Sequence, residues 1–146
     1  MNADFVVADA SVLLKWYLSE GEANRDQALL LFDRFRSGKV RILLPELAFY
    51  ELGNRLVCLS ETGWQLFADA LDLLTDVVPF DDGDLKRIAQ SVADLRRGGL
   101  KKVTMVDCAY IHLARLAGTP LITADRPQAA AAKSLGISGL LIGDYR

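Results

Sequence analysis

The 146 residues carry a net charge of −2, with 51% hydrophobic and 25% charged residues. This composition predicts a globular protein rather than a disordered chain, and the length fits one domain spanning residues 1–146. No uncharged apolar run approaches the roughly 18 residues of a membrane span, and the first residues lack the basic start of a secretion signal. We therefore expect a cytoplasmic protein with no membrane partner.

The rare residue types restrict the chemistry further. One histidine, His112, and two isolated cysteines, Cys58 and Cys108, argue against a zinc site of several ligands and against a Ser-His-Asp triad. Both cysteines are expected to be reduced, buried thiols. The negative net charge argues against a nucleic-acid binder that works by charge alone, but it is compatible with a nuclease that has a local basic rim and bound cations. Any catalysis is then expected to rely on carboxylates.

Short apolar runs alternate with amphipathic segments along the chain, which predicts an α/β fold with a mostly parallel sheet. The first run, FVVA at residues 5–8, is uncharged and rich in β-branched side chains, and it stops at Asp9, as expected of a buried strand. The predicted strands cover residues 4–8, 41–44, 77–80, 121–123 and 140–142.

Helices are predicted between these strands from apolar side chains spaced three and four residues apart. Thr62 is expected to cap one helix, and Pro45 is expected in the first turn of another. Gly38 and Gly118 are expected to end the helices that precede them. The predicted helices cover residues 11–16, 20–37, 46–59, 64–74, 85–95, 104–117 and 129–135.

Four carboxylates occupy positions where a site can form. Asp9 and Asp125 each end a predicted strand. Glu51 and Asp107 interrupt apolar helical stretches, and Asp107 lies in the first turn of its helix. Because open α/β sheets bind ligands in a crevice at the carboxyl ends of their strands, all four positions can face one crevice. The sequence therefore predicts that these four side chains converge.

Each acid also has a structural explanation that the sequence leaves open. Asp9 can cap the helix that follows it, and Asp125 can form a turn. Glu51 can pair with Arg55 one turn later on its helix. Asp107 can complement the helix dipole in the first turn, which is compatible with a role in a site.

A metal-dependent reaction explains why four acids would be clustered. Mg²⁺ and Mn²⁺ are hard cations that prefer oxygen ligands, and close carboxylates repel one another unless cations bind. One or two such ions can activate water and stabilise an in-line phosphoryl transition state. Ser11 and Thr123 each lie two residues from an acid, where they can hydrogen-bond a carboxylate or a bound water, or satisfy backbone groups.

The remaining polar features have weaker functional meaning. The acidic turn at residues 81–84 is expected to be a solvated helix start, and His112 is expected to be a packed or surface residue rather than a ligand. The one dense basic segment precedes Asp107, and a solvated loop is its simpler explanation. The candidates for contacts with substrate phosphates are Lys15, Arg96, Arg97, Lys101, Lys102 and Arg126.

Four segments, taken in order, carry a resemblance to a known family. They are VADAS at 7–11, PE at 45–46 with EL at 51–52, DCAYIHLA at 107–114, and LITADR at 121–126. Each segment alone is weakly diagnostic, whereas the ordered set spans nearly the whole chain. The set resembles PIN-domain ribonucleases, and specifically the toxin component of VapBC toxin–antitoxin pairs.

The resemblance implies a three-layer α/β/α sandwich around a parallel sheet of about five strands. The catalytic and metal-binding residues that it implies are Asp9, Glu51, Asp107 and Asp125. These would bind Mg²⁺ or Mn²⁺ and position the attacking water. The resemblance also implies endonucleolytic cleavage of RNA, a preference over DNA that rests on the family alone. It further implies a VapB-like antitoxin that covers the crevice, with the chain in a homodimer or in a hetero-oligomer with that antitoxin.

The sequence leaves three other interpretations of the function open. A PIN nuclease of RNA maturation would share the site, although the small size favours a toxin, and a catalytically silent PIN-fold binding module would share only the fold. A phosphoacceptor is disfavoured because a response-regulator receiver needs an acidic pair where this chain has Asp9 alone. A haloacid-dehalogenase-type phosphatase needs an aspartate where this chain has Ser11.

Overall fold

The computed structural model describes residues 2–18 and 21–146. Its strands form one sheet in the order β3-β2-β1-β4-β5, and every neighbouring pair is parallel. The prediction of a mostly parallel sheet of about five strands is thus confirmed. The strands are β1 (Asp4–Ala8), β2 (Val40–Pro45), β3 (Val77–Val78), β4 (Leu121–Thr123) and β5 (Gly139–Leu141).

The helices form a layer on each face of this sheet, as the predicted α/β/α sandwich requires. Right-handed crossovers place α1 to α4 on one face and α5 to α7 on the other. The packing agrees, because α1 and α4 contact α3, whereas α5 and α7 contact α6. The helices are α1 (Ala10–Leu14), α2 (Arg25–Arg36), α3 (Leu47–Leu56), α4 (Gly63–Leu73), α5 (Asp82–Arg97), α6 (Met105–Ala117) and α7 (Arg126–Ser134), followed by a 3₁₀ turn at Ile142–Asp144.

The central strand β1 locates the candidate site. Val7 and Ala8 are fully buried, which explains the uncharged run that the sequence shows there. In register, Ala8 lies beside Ile122 of β4. The chain runs outward from β1 to β2 and β3 and then crosses back to β4 on the opposite side, so the strand order reverses between β1 and β4. Open α/β sheets form their ligand crevices at this kind of switch point.

Two predictions at the ends of α3 and α4 are wrong in detail. Pro45 is the last residue of β2, paired with Val78, and α3 begins after it at Leu47. A strand end tolerates proline because the missing N–H is not needed to continue the ladder. Thr62 occupies the position before α4, but its side chain makes no capping hydrogen bond. Its backbone lacks the extended conformation of a cap, and its hydroxyl lies 3.2 Å from that of Ser60.

Several other boundaries shift by a few residues. Helix α2 begins at Arg25 rather than at residue 20, which lies outside the described residues, and α7 begins at Arg126 rather than at residue 129. Helix α5 starts three residues earlier than predicted, at Asp82, because side-chain capping satisfies its first turn. Strand β3 ends at Val78 rather than at residue 80. Gly118 adopts φ +62°, so it ends α6 in the left-handed conformation as predicted.

Two further expectations concern the burial of the cysteines and the absence of a membrane-spanning helix. Cys108 is buried as predicted, but Cys58 is exposed on the turn after α3, so the expectation of two buried thiols is wrong for Cys58. Burial, followed by the charge of Asp107, raises the pKa of Cys108 to about 11, so this thiol keeps its proton near neutral pH. Among the described residues, no helix is long and apolar enough to cross a membrane.

Candidate active site

Asp9 is the most deeply buried of the four predicted acids, with 7% of its surface exposed. It follows β1 and caps α1, so its predicted structural role is real. Its Oδ1 accepts hydrogen bonds from the backbone N–H groups of Ser11 at 2.9 Å and Val12 at 3.3 Å, and from the Ser11 hydroxyl. Its Oδ2 accepts one from the hydroxyl of Thr123 at 2.8 Å. Burial raises the pKa of Asp9, although these hydrogen bonds act in the opposite direction.

Ser11 and Thr123 join the ends of β1 and β4. The Ser11 hydroxyl accepts a hydrogen bond from the backbone N–H of Ala124 at 3.1 Å. The Thr123 hydroxyl accepts one from the backbone N–H of Asp125 at 3.0 Å. These bonds place the backbone of Asp125 beside the segment that carries Asp9. Asp125 itself precedes α7 and makes no capping hydrogen bond through its side chain.

Glu51 reaches the same edge from the middle of α3. Its Oε1 accepts a hydrogen bond from the hydroxyl of Tyr110 on α6 at 2.6 Å. Burial raises the pKa of Glu51, the Tyr110 hydrogen bond lowers it, and the charges of Asp9 and Asp107 raise it further. The charge of Asp9, which follows β1, and that of Asp107 on α6 therefore both act on Glu51 of α3.

Asp107 takes part in capping α6 and also lies where its charge acts on Glu51. It is the third residue of α6, and its Oδ2 accepts hydrogen bonds from the backbone N–H and the hydroxyl of Thr104, both at 2.9 Å. The Thr104 hydroxyl in turn accepts one from the backbone N–H of Asp107 at 3.2 Å. This reciprocal capping box orients the carboxylate while the charge of Asp107 acts on Glu51.

The donor set fits a hard divalent cation. Within residues 2–18 and 21–146, no three His, Cys, Asp or Glu side chains are arranged to hold one ion by themselves. Mg²⁺ commonly keeps several waters and uses only one or two carboxylates, so a preformed cage is not required. Burial raises the pKa values of Asp9 and Glu51, and a bound cation would offset the cost of ionising both.

The predicted basic residues divide into two groups. Lys15 is buried, and its ammonium bonds to Glu22 at 3.1 Å and to the carbonyl of Ala23 at 2.7 Å. Arg96 donates to the carbonyl of Val103 at 2.9 Å, and Arg97 pairs with Asp94 on the same helix. These three have structural partners within the chain. The second group makes no side-chain hydrogen bond or ion pair among the described residues, and it consists of Lys101, Lys102 and Arg126. All three are exposed, as Arg96 and Arg97 also are.

Two polar residues of this region were not identified from the sequence. Tyr110 is 1% exposed and contacts Glu51. Gln128 is 2% exposed, lies 2.7 Å from the Thr123 hydroxyl through Oε1, and donates through Nε2 to the carbonyl of Asp107 at 3.4 Å. Tyr110 lies one helical turn after Asp107, a spacing that could have indicated a shared face. No comparable signal points to Gln128, since neither its contact with Thr123 nor its bond to the carbonyl of Asp107 follows from helical spacing.

Comparison with solved structures finds the same fold in proteins of low sequence identity. FitAcB from Neisseria gonorrhoeae is 14% identical, with 95% of this chain and 99% of that chain covered and a TM-score of 0.70. VapBC2 from Rickettsia felis, bound to a DNA fragment from their promoter, is 12% identical, with 94% and 98% covered and a TM-score of 0.67. VapC20 from Mycobacterium tuberculosis, a Sarcin-Ricin loop cleaving toxin, is 17% identical, with 86% and 94% covered and a TM-score of 0.65.

A comparison with curated protein sequences finds no match. The family model described as PIN domain matches residues 6–134, a span that runs from within β1 to the end of α7 and contains all four acids. The fold of the solved relatives agrees with that match. We conclude from the parallel sheet, the acids at its carboxyl edge and this family match that the chain belongs to the PIN domain family.

Proposed function

We propose that this protein is a metal-dependent endoribonuclease that hydrolyses RNA phosphodiester bonds and serves as the toxin of a toxin–antitoxin pair. The observation that carries the proposal is the hydrogen bond from Tyr110, which holds the half-buried carboxylate of Glu51 against α6 one turn from Asp107. The charges of Asp9 and Asp107 both act on this carboxylate. Acids that repel one another cost stability, so their grouping at the switch point of the sheet favours a site for cations. The choice of RNA and of a toxin rests on the family and on its solved relatives.

The residues proposed to hold Mg²⁺ or Mn²⁺ are Asp9, Glu51, Asp107 and Asp125. When bound, such a cation supplies activation of water and neutralisation of charge on the phosphate. Glu51 accepts its described hydrogen bond through Oε1, and Asp107 accepts its side-chain bonds through Oδ2. The second oxygen of each is therefore the one that we assign to ligation.

The surrounding residues have supporting roles in this proposal. Ser11 and Thr123 hold the Asp9 carboxylate from two directions. Lys101, Lys102 and Arg126 are exposed near Asp107 and Asp125 in the sequence, and we assign them to contacts with substrate phosphates. For Lys15, a phosphate contact would require an exchange of the partners seen within the chain. Arg96 and Arg97 each make their described bond through one guanidinium nitrogen, so a phosphate contact through another nitrogen requires no such exchange.

A protein partner is supported by apolar side chains that the fold leaves exposed. Helices α3 and α4 border a groove of about 490 Å³ whose lining includes Phe49, Tyr50, Val57 and Leu71. Tyr50 is 71% exposed. Exposed apolar clusters of this kind commonly mark protein interfaces. We propose a cognate antitoxin as the partner, with the toxin in homodimers or in hetero-oligomers with that antitoxin.

The first test is RNA cleavage by the purified protein with Mg²⁺, with Mn²⁺ and with EDTA. The second is the growth of cells that express the protein with or without the antitoxin expected to be encoded beside it. We expect cation-dependent cleavage, growth arrest without the antitoxin, and loss of both in Asp9→Asn. An asparagine can still accept the capping hydrogen bonds of Ser11 and Val12, so this variant should remain folded. Cleavage that persists in EDTA or in Asp9→Asn would contradict the mechanism.

The same experiment separates the alternatives. A nuclease of RNA maturation would cleave RNA in a cation-dependent manner without arresting growth. A silent binding module would bind RNA without cleaving it under any condition. Either outcome would overturn the toxin assignment while leaving the fold and the family unchanged.

A further inference from the structure

Tyr110 carries a hydroxyl that the packing of the core does not need. It is one of the largest fully buried side chains in the described residues, on the face of α6 that packs against the sheet. Phenylalanine would fill the same apolar space without a polar group. A buried phenol costs free energy unless its O–H finds a partner, and here the partner is Oε1 of Glu51 at 2.6 Å.

The hydroxyl also joins two helices that carry acids of the site. Its ring belongs to α6, one turn beyond Asp107, and its O–H donates to Glu51 on α3. Burial, then the charge and the hydrogen bond of Glu51, and then the charge of Asp9 raise the pKa of Tyr110, so the phenol keeps its proton and acts as the donor. The phenol thus joins α6 to α3 between Asp107 and Glu51.

We propose that Tyr110 is a positioning residue that fixes the Glu51 carboxylate for the reaction of this site. By occupying Oε1, the hydroxyl sets the rotation of the carboxylate and directs Oε2 toward the place where cation and substrate bind. A glutamate on a half-buried helix face otherwise has several rotamers to lose on binding a cation. The inference rests on the proposed function, because it assigns Tyr110 to the same cation site.

Tyr110 acts through Glu51 and does not itself contact the reacting atoms. A change in a group that orients a metal ligand typically lowers metal affinity or activity about 10- to 100-fold. We therefore expect Tyr110→Phe to weaken Mn²⁺ binding within that range. In RNA cleavage with Mg²⁺, kcat should fall while the KM for RNA stays close to that of the wild type.

Tyr145 provides a matched control. It is also largely buried, and its hydroxyl accepts a hydrogen bond from Arg34 of α2 at 3.3 Å. Helix α2 runs back along the sheet, so Arg34 near its end lies toward the amino ends of the strands, away from the acids. Tyr145→Phe therefore removes the same atom from a buried tyrosine outside the site, and Mn²⁺ affinity should be unchanged.

The experiment is a titration of the full chain with Mn²⁺ alone, followed by calorimetry or electron paramagnetic resonance, with thermal unfolding of every variant. Tyr110→Phe is measured in the wild-type background and in Glu51→Gln. If the phenol acts through the Glu51 carboxylate, it should weaken binding in the wild type and produce no further loss in Glu51→Gln. An equal loss in both backgrounds, or no loss in the wild type, would overturn the inference.

The failure of the proposed function would look different. If the wild type binds no Mn²⁺ and cleaves no RNA, the cation site itself is absent, and the role of Tyr110 in it is overturned together with the function. If the wild type binds Mn²⁺ and Tyr110→Phe binds it equally well, only the positioning role is overturned. A general packing defect would lower the unfolding temperature and leave the loss of Mn²⁺ affinity independent of Glu51.

Discussion

The first turns of α5 and α6 contain the same capping motif, but the aspartate of each motif has different surroundings. At α5, the side chain of Asp81 accepts the backbone N–H of Asp84, and Asp84 accepts the backbone N–H of Asp81. At α6, Thr104 and Asp107 make the same reciprocal pair of bonds. Each helix thus begins with an aspartate in the third position, where it satisfies a free backbone donor and complements the helix dipole.

The two aspartates differ in what faces them. Asp84 accepts a hydrogen bond from Nε2 of His112 at 2.8 Å, and this bond, more than any other contact, lowers the pKa of Asp84. Asp107 has no comparable basic partner among the described hydrogen bonds and salt bridges, and its charge raises the pKa of Glu51. One carboxylate is compensated within the fold and the other adds to an uncompensated cluster. A local motif therefore fixes where a helix starts, whereas the tertiary surroundings decide whether its acid is available for chemistry.

The largest expected effect comes from neutralising each aspartate in turn. Asp107→Asn should lower cation-dependent RNA cleavage by about 10³-fold, equivalent to ~4 kcal/mol of transition-state stabilisation, because a ligand charge is lost. Asparagine can still accept the N–H of Thr104, so the unfolding temperature should change little. Asp84→Asn should leave cleavage near that of the wild type and lower the unfolding temperature, because the buried His112 loses its charged partner.

Steady-state cleavage and thermal unfolding of the two variants check this contrast. Equal losses of activity would show that the helix starts matter only for the fold. In that case the difference between Asp84 and Asp107 would have no functional meaning.

Strong local patterns in the sequence were sufficient to predict most of the fold. Residues 6–8 of the uncharged run in β1 are buried on both faces, although Phe5 at its start is exposed. The spacing of apolar residues indicates the helices, because burial imposes both patterns directly. The detail at Pro45 was mispredicted because proline suits both a helix start and a strand end, and only the pairing with Val78 decides between them. The two-residue strand β3 likewise depends on its neighbour for its limits.

The sequence indicates where the candidate acids lie better than it indicates their partners. Asp9 and Asp125 follow apolar runs, so their positions at the sheet edge follow from the strands. Tyr110 looks like an ordinary core residue in the sequence, since its role depends on a glutamate 59 positions away. The sequence makes Lys15 a candidate phosphate contact because it lies near Asp9, yet its side chain is buried and its ammonium binds Glu22 and the carbonyl of Ala23.

A smaller effect should follow from removing the cap residue at each helix. Thr104→Ala and Asp81→Ala should each lower the free energy of unfolding by about 1 kcal/mol, because each removes the oxygen that accepts a first-turn N–H. Only Thr104→Ala should also reduce cleavage, by roughly tenfold, since Asp107 loses the hydroxyl that orients it. Chemical denaturation and cleavage rates measure the two effects, and Thr104→Ser should retain both. Reduced cleavage in Asp81→Ala would contradict the assignment of orientation to the α6 cap alone.

The smallest effect is a difference in pH dependence without divalent cations. Asp9 and Glu51 have pKa values above their ordinary 3.8 and 4.5, so the folded state binds their protons more tightly than the unfolded state. Their contribution to stability is complete below those ordinary values and is lost as pH rises through the higher folded values. The pKa of Asp84 lies below 3.8, so its contribution is present above that pH and is lost as pH falls through the lower folded value.

The two regions should therefore separate on a plot of unfolding free energy against pH. Above the ordinary carboxyl range, Asp9→Asn should flatten the decline with rising pH, whereas Asp84→Asn should leave it unchanged. Below pH 3.8 the order should reverse, because only Asp84→Asn removes a group that loses its contribution there. Urea denaturation at several pH values in EDTA measures both limbs. Asp9→Asn could instead show the wild-type slope of unfolding free energy against pH above the ordinary carboxyl pKa values. In that case the burial of Asp9 would not affect its ionisation. The contrast between the compensated Asp84 and the uncompensated acids would then be wrong.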